Sequence, residues 1–165
     1  MKSIFILLVV MLLQACSTVS LNNANSLTDD EKVIFWSHQD ILRPLYIASI
    51  NGKELPKLYA PKIADTQGKK ILQVELYHSY KSADDLEIVV EFHFEIEAKA
   101  GNSYNFKIDG ASDFNFSVNN DVKLCIYEEP HKAEGSSINI TGEYRTPSSF
   151  ARKLGCSAAT YRPFG

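Results

Sequence analysis

From Leu86 to Lys99 the chain alternates almost without a break. Leu86, Ile88, Val90, Phe92, Phe94, Ile96 and Ala98 are apolar; Glu87, Glu91, His93, Glu95, Glu97 and Lys99 are polar, with Val89 the exception. A period of two is that of a strand with one buried and one wet face. Wound as a helix, the same residues would scatter apolar groups around the whole circumference. This segment therefore commits the chain to a sheet. A strand this long is expected to bend or carry a bulge.

Shorter segments follow the same rule. Ala100-Gly101-Asn102-Ser103 turns the chain, and Tyr104, Phe106 and Ile108 alternate up to Asp109-Gly110, which reads as a hairpin. Phe114, Phe116 and Val118 suggest another strand before Asn119-Asn120-Asp121, and Val122, Leu124 and Ile126 another after it. Ile138, Ile140 and Tyr144 suggest a later one. Upstream, Leu45 to Ile50 runs into Asn51-Gly52, a strong turn signal, and Ile71 to Tyr80 places Leu72, Val74 and Leu76 on one face. No long stretch has helical periodicity, which removes the crossover helices that parallel βαβ units need. The expected fold is all-β, an antiparallel β-sandwich of about seven or eight strands. A small closed barrel is the alternative. One short C-terminal helix is expected, with Thr146 as cap, Pro147 at its first position and Gly155 as its stop.

Composition supports one domain of ordinary size. Of 165 residues 45% are hydrophobic and 22% charged, well outside the disordered range. The net charge of −3 lacks the basic excess of a nucleic-acid binder.

The first residues read as an export signal. Lys2 supplies a positive start, and Ile4 to Leu13 is an uncharged apolar run, too short to span a bilayer, which needs about 20 residues. Leu13-Gln14-Ala15-Cys16 closes it. This box resembles the lipobox of bacterial lipoproteins. The resemblance implies removal of residues 1–15, diacylglycerol on Cys16, and a mature chain beginning there. Ser17, where inner-membrane retention favours Asp, implies the outer membrane. Residues 16–30, rich in Asn, Ser and Thr, read as a flexible tether, and residues 31–165 as the β-sandwich domain. Thr28-Asp29-Asp30-Glu31 suits a capping box opening a short helix. Lys32 to Trp36, which follows, reads as a strand.

With Cys16 lipidated, Cys125 and Cys156 remain, and an oxidising compartment favours pairing them. The competing roles, a reactive thiol or a metal-ligand pair, lack a CxxC or a histidine at ligand spacing. Cys125 points away from the Val122/Leu124/Ile126 face. The bridge is therefore expected to pin the tail onto the outer side of that sheet.

The body also resembles a loose group of small β-sandwich envelope lipoproteins over roughly residues 45–108. The shared pieces are a strand into Ile50-Asn51-Gly52-Lys53, an extended middle strand, and the turn Ala98-Lys99-Ala100-Gly101-Asn102-Ser103-Tyr104. Members usually carry a Pro-Gly turn before the middle strand, where this chain has Gln67-Gly68-Lys69-Lys70. The resemblance implies fold rather than activity.

Signatures of catalysis are missing. There is no Gly-x-Ser-x-Gly elbow, P-loop, dinucleotide fingerprint or His-Glu-x-x-His. His38, His78, His93 and His131 are spread along the chain. Glu91, His93 and Glu95 share a strand face and have the chemistry of a metal site or a tuned base, but Glu87, Glu97 and Lys99 continue the row as a solvated face. Asp109-Gly110-Ala111-Ser112-Asp113 departs from a calcium loop and reads better as a turn. No cofactor and no resident metal are expected. The tail mixes Arg145, Arg152, Lys153 and Arg162 with Phe150 and Tyr161, a combination suited to a binding surface for an acidic protein, a headgroup or a glycan. The expected function is therefore a non-enzymatic, membrane-anchored binding or structural module of the envelope, with an envelope protein or glycan as partner. The alternative is an inhibitor or immunity protein against a toxin or lytic enzyme. An enzyme acting on peptidoglycan or glycan is disfavoured.

Overall fold

The alternating segment forms a long inner strand, paired on both sides, of one of two packed sheets. The computed structural model describes residues 18–40, 43–56, 62–79, 87–109, 122–138 and 145–163. In chain order its strands are β1 (Thr18–Ser20), β2 (Val33–Trp36), β3 (His38–Asp40), β4 (Arg43–Ile50), β5 (Lys53–Glu54), β6 (Lys62–Asp65) and β7 (Gly68–Ser79). They continue with β8 (Glu87–Ala98), β9 (Asn102–Asp109), β10 (Lys123–Pro130), β11 (Ser137–Ile138), β12 (Arg145–Thr146), β13 (Arg152–Ala158) and β14 (Thr160–Pro163). Sheet A runs β1-β6-β2-β9-β10-β13, and sheet B runs β14-β8-β7-β4-β3 with β5 on β4. β11 and β12 form a separate two-stranded ribbon.

The core lies between the sheets. Leu72, Val74 and Leu76 of β7 oppose Phe94, Phe92 and Val90 of β8. Against them pack Val33 and Phe35 of β2, Tyr104 of β9, and Leu124 and Ile126 of β10. The fold is thus an all-β sandwich, and Val90, Phe92, Phe94, Ile96 and Ala98 of the alternating segment face its core. Most pairings are antiparallel. The exceptions are β1 on β6 and β2 on β9, which are parallel. Between β2 and β9 the chain builds most of sheet B, so strands supply the crossover that a helix provides in a βαβ unit.

Two expectations need correction. The first is the tether over residues 16–30. From Thr18 onward this stretch belongs to the folded body. β1 pairs with β6, Leu21 and Ala24 are buried, and the Leu21 N–H donates to the Ala64 carbonyl at 2.9 Å. The polar composition concealed this, because the asparagines serve geometry rather than solubility. Asn22 and Asn23 hold left-handed backbone at φ 49° and 61°, a region that Asn tolerates better than most residues. Asn22 Nδ2 also donates to Asp65 Oδ1 at 2.8 Å. The capping box at Thr28 and Glu31 is present on a single 3₁₀ turn, Asp29–Glu31, and leads into β2. The Thr28 N–H and hydroxyl both donate to Glu31, and these bonds hold its carboxyl below the ordinary range.

The second is the C-terminal helix over residues 147–155. Arg152–Ala158 is instead the strand β13, at the edge of sheet A. Local cap and stop signals lose to the ladder of β10 and to the cross-link. Cys125 and Cys156 are directly opposite residues of β10 and β13 and form a disulfide. The tail therefore joins the sheet in its own plane instead of lying across its outer side. One residue later it enters sheet B as β14, on β8. This continuous strap closes one side of the sandwich. The Cys125→Ser/Cys156→Ser variant, opening a loop of sequence separation 31, is expected to lose about 3–4 kcal/mol of stability in urea unfolding. An unchanged midpoint would show that the ladder alone holds the strap. The expected strand at Phe114–Val118 lies outside the described residues, as does the stretch of the expected later strand beyond Ile138.

Candidate functional site

Adjacent residues of a strand point to opposite faces, and Glu128-Glu129 in β10 use this to serve two different networks. Both are buried, where a carboxylate is costly unless saturated with donors. Glu128 lies on the side of Leu124 and Ile126. Its Oε1 accepts from the Tyr104 hydroxyl at 2.8 Å and from Asn102 Nδ2 at 3.1 Å. Its Oε2 accepts from Arg152, directly opposite on β13, with Nε at 3.0 Å and Nη2 also donating. Burial pushes the Glu128 carboxyl up, but the bonds from Arg152, Tyr104 and Asn102 outweigh it and hold it below the ordinary value. Burial raises the Tyr104 phenol well above its usual range.

Tyr104 also explains the turn that runs from Ala98 to Tyr104. Its oxygen accepts the Lys99 N–H at 2.8 Å, so the tyrosine clamps its own turn and then hands a proton donor to Glu128. Gly101 occupies φ 76°, and a Cβ there would sit 3.3 Å from the Asp30 carbonyl. A side chain would be strained on both counts.

Glu129, on the other face, is clasped by Arg145. Arg145 Nε donates to Glu129 Oε1 at 3.0 Å, and the Ser148 N–H donates to Oε2 at 2.9 Å. The rest of the guanidinium is equally occupied. Nη1 donates to the His131 carbonyl at 2.5 Å and to Ser103 Oγ at 3.2 Å; Nη2 donates to the Pro130 carbonyl at 3.0 Å and to Ser136 Oγ at 2.9 Å. Arg145 is buried, so its expected place on a binding surface is corrected: it ties β10, the turn after it and β12 together. A lone arginine in sequence looks like a surface cation; its burial depends on Glu129, sixteen residues away.

His131 completes the cluster. The Lys32 carbonyl lies 3.1 Å from Nε2, which places the proton on that nitrogen. Nδ1 then accepts the Ser103 hydroxyl at 2.9 Å. A serine on a histidine resembles half of a hydrolytic centre, but Ser103 is 1% exposed and Arg145 also donates to its oxygen. The pair fastens the turn to β2 and presents no nucleophile to solvent. Burial and the charge of Arg145 lower the His131 pKa, against the Lys32 carbonyl. Its neutral form is therefore favoured by folding. That stability is full above the unfolded value near 6.5 and is lost as pH falls from there through the lower folded value. Wild type is expected to lose stability over this window, and His131→Gln to flatten the profile. Parallel profiles for the two proteins in urea titrations would exclude His131 as the source.

Above this polar floor lies an open groove of about 450 Å³, walled by Asn102, Glu128, Pro130, Ala133, Phe150 and Arg152. The Phe150 ring stands 92% exposed at its rim, and the Arg152 side chain is 61% exposed beside it. These are the two tail residues that the structure brings together. The others diverge. Lys153 pairs with Asp109 at 3.0 Å, and Tyr161 packs against the core. Arg162 crosses to sheet B, where it meets Glu75 at 2.9 Å and also Glu91. The expected single tail surface is thus corrected to one groove with two of its residues. Glu128, Glu129 and Tyr104 went unrecognised in the sequence. The available signal was a pair of acids ending an alternating strand just before Pro130.

Glu91, His93 and Glu95 do not converge on a common centre. Glu91 is taken by Arg162, Glu95 pairs with Lys69 at 2.6 Å, and exposed His93 lies 3.8 Å from Glu91. Among the described residues, the acid, histidine and cysteine side chains that do converge are Asp109, Cys125 and Cys156. Both sulfurs there belong to the disulfide, so neither is a free thiolate ligand. Cys16 and residues 110–113 of the expected turn after Asp109 lie outside the described residues, as do the His38 and His78 side chains. No helix among the described residues is long and apolar enough to cross a membrane. Comparison with protein families, with characterised proteins and with solved structures returns no match.

Proposed function

We propose that the chain is a lipid-anchored outer-membrane lipoprotein acting as a non-enzymatic binding module, and that it grips an envelope protein or glycan through the Phe150/Arg152 groove. The observation carrying this reading is the exposed Phe150 ring beside a cation at the rim of a groove with a rigid floor. Burying such a ring against a partner contributes roughly 1.5–3 kcal/mol. The floor is saturated with hydrogen bonds, so little ordering is left to be done on binding. The anchor would confine the domain to a surface and raise its effective concentration near partners there.

Cys16→Ala is expected to move the protein from the membrane to the soluble fraction. Tagged wild-type protein, cross-linked in living cells and purified under denaturing conditions, is expected to bring down one recurring envelope component. Phe150→Ala, which removes the exposed ring and leaves Arg152 on Glu128, should lose it while keeping the wild-type melting profile. Unchanged recovery would remove the groove from the account. Recovery of a toxin or lytic enzyme instead would favour the inhibitor reading.

A further inference from the structure

The expected tether left the domain free to stand off the membrane; the observed fold does not. β1 begins at Thr18, already paired with Lys62 of β6. Only Ser17 separates it from Cys16. Two residues of fully extended chain reach about 7 Å. A lipid on Cys16 is therefore bound to lie within that distance of the edge of sheet A.

The strand order then decides what faces the bilayer. β1 and β13 are the two edges of sheet A, five strand spacings apart. At about 4.8 Å each, that separates them by roughly 24 Å. The groove is built where β13 begins, around Arg152. Beside the anchor, Thr18, Lys62 and Trp36 are register partners across β1, β6 and β2. The Lys62 ammonium sits 5.6 Å from the Trp36 ring centroid. Trp36 is buried, so the group this row offers to a membrane is the half-buried Lys62 next to the lipid attachment point. Its ammonium suits anionic headgroups.

We infer that the lipid on Cys16 seats the β1–β6 edge directly on the bilayer, with Lys62 against phospholipid headgroups and the Phe150 groove held at the opposite edge, away from the membrane. The inference rests on the lipoprotein reading. It makes the anchor an orienting device as well as a tie. A domain fixed edge-on presents its groove outward continuously, whereas a tethered one tumbles.

Trp36 is the sole tryptophan and reports the distance. The full-length lipidated protein is reconstituted in vesicles of phosphatidylethanolamine and phosphatidylglycerol carrying a dansyl headgroup acceptor. Energy transfer from Trp36 is compared with that of a variant bearing a Gly/Ser linker of about 15 residues between Ser17 and Thr18, whose root-mean-square span is about 20 Å. Both proteins should float with the vesicles, and transfer should fall by more than half in the linker variant. Equal transfer in two proteins that both float would overturn direct seating and leave the anchor standing. Failure of the wild type to float would overturn the anchor reading, and the seating with it.

Discussion

Arg145→Ala is expected to destabilise the protein by about 3–5 kcal/mol, a large share of the stability of a domain this size. The loss comes less from the missing attraction than from what stays behind. Glu129 and Arg145 have side chains only 2% and 3% exposed. Truncation strands the Glu129 carboxylate with the Ser148 N–H as its remaining donor among the described residues, and removes donors from the Pro130 and His131 carbonyls. A buried charge without its partner is the costly state, whereas a well-packed apolar pair of similar volume is often close to neutral. Glu129→Leu/Arg145→Met should therefore recover much of the deficit. Urea unfolding of the single and double variants checks this. A loss below about 1 kcal/mol for Arg145→Ala would mean that the arginine is solvated, as exposed pairs are. The polar floor of the groove would then be much softer than described.

Lys70→Met should have an effect of similar size, about 3–5 kcal/mol, for a related reason. Lys70 stands opposite Ile96 on the inward side of β7. Its ammonium reaches Asp65 Oδ2, on β6 of the other sheet, at 2.7 Å, and both side chains are almost fully buried. The remaining Asp65 oxygen takes the Asn22 amide at 2.8 Å and the Thr66 N–H at 2.7 Å. The pair thus joins the two sheets and the N-terminal segment at one point. Methionine keeps the volume and removes the charge, leaving Asp65 buried without its cation. Paired replacement with Asp65→Leu should soften the loss, and the interaction free energy from the double-mutant cycle isolates the bridge. Faster hydrogen exchange over residues 18–24 in Lys70→Met would show that the N-terminal segment depends on it.

Much of the architecture was legible because alternation is a local property. Phe92, Phe94 and Ala98 declare their face within a few residues, and β8 follows from them. Asn51 and Gly52 declare a turn, and both adopt positive φ, at 51° and 74°. The cystine was legible by elimination, once the lipobox reading set Cys16 aside and left Cys125 and Cys156. What failed was whatever depended on a distant partner. Val19, Leu21 and Ala24 look incidental among Asn and Ser until β6, more than forty residues later, pairs with β1. Thr146, Pro147 and Gly155 make sound helix punctuation, yet β10 claims Arg152–Ala158 as strand. Arg145, Arg152, Lys153 and Arg162 read alike as surface cations. Each meets a different carboxylate: Glu129, Glu128, Asp109 and the Glu75/Glu91 pair. Strand pairing thus divided one apparent basic patch among four separate places. Phe150 and Arg152 were visible as candidates, but the groove beside them was not, since its walls come from three separate parts of the chain.

The most direct test of the central claim is site-specific photo-cross-linking in living cells. A benzophenone amino acid replaces Phe150 at the groove rim, or Glu97 on the exposed face of β8 as a control. The account expects one envelope component to be captured repeatedly from position 150 and not from position 97. Equal capture from both positions, or none from 150 while a control lipoprotein captures its own partner, would contradict the groove as the binding site.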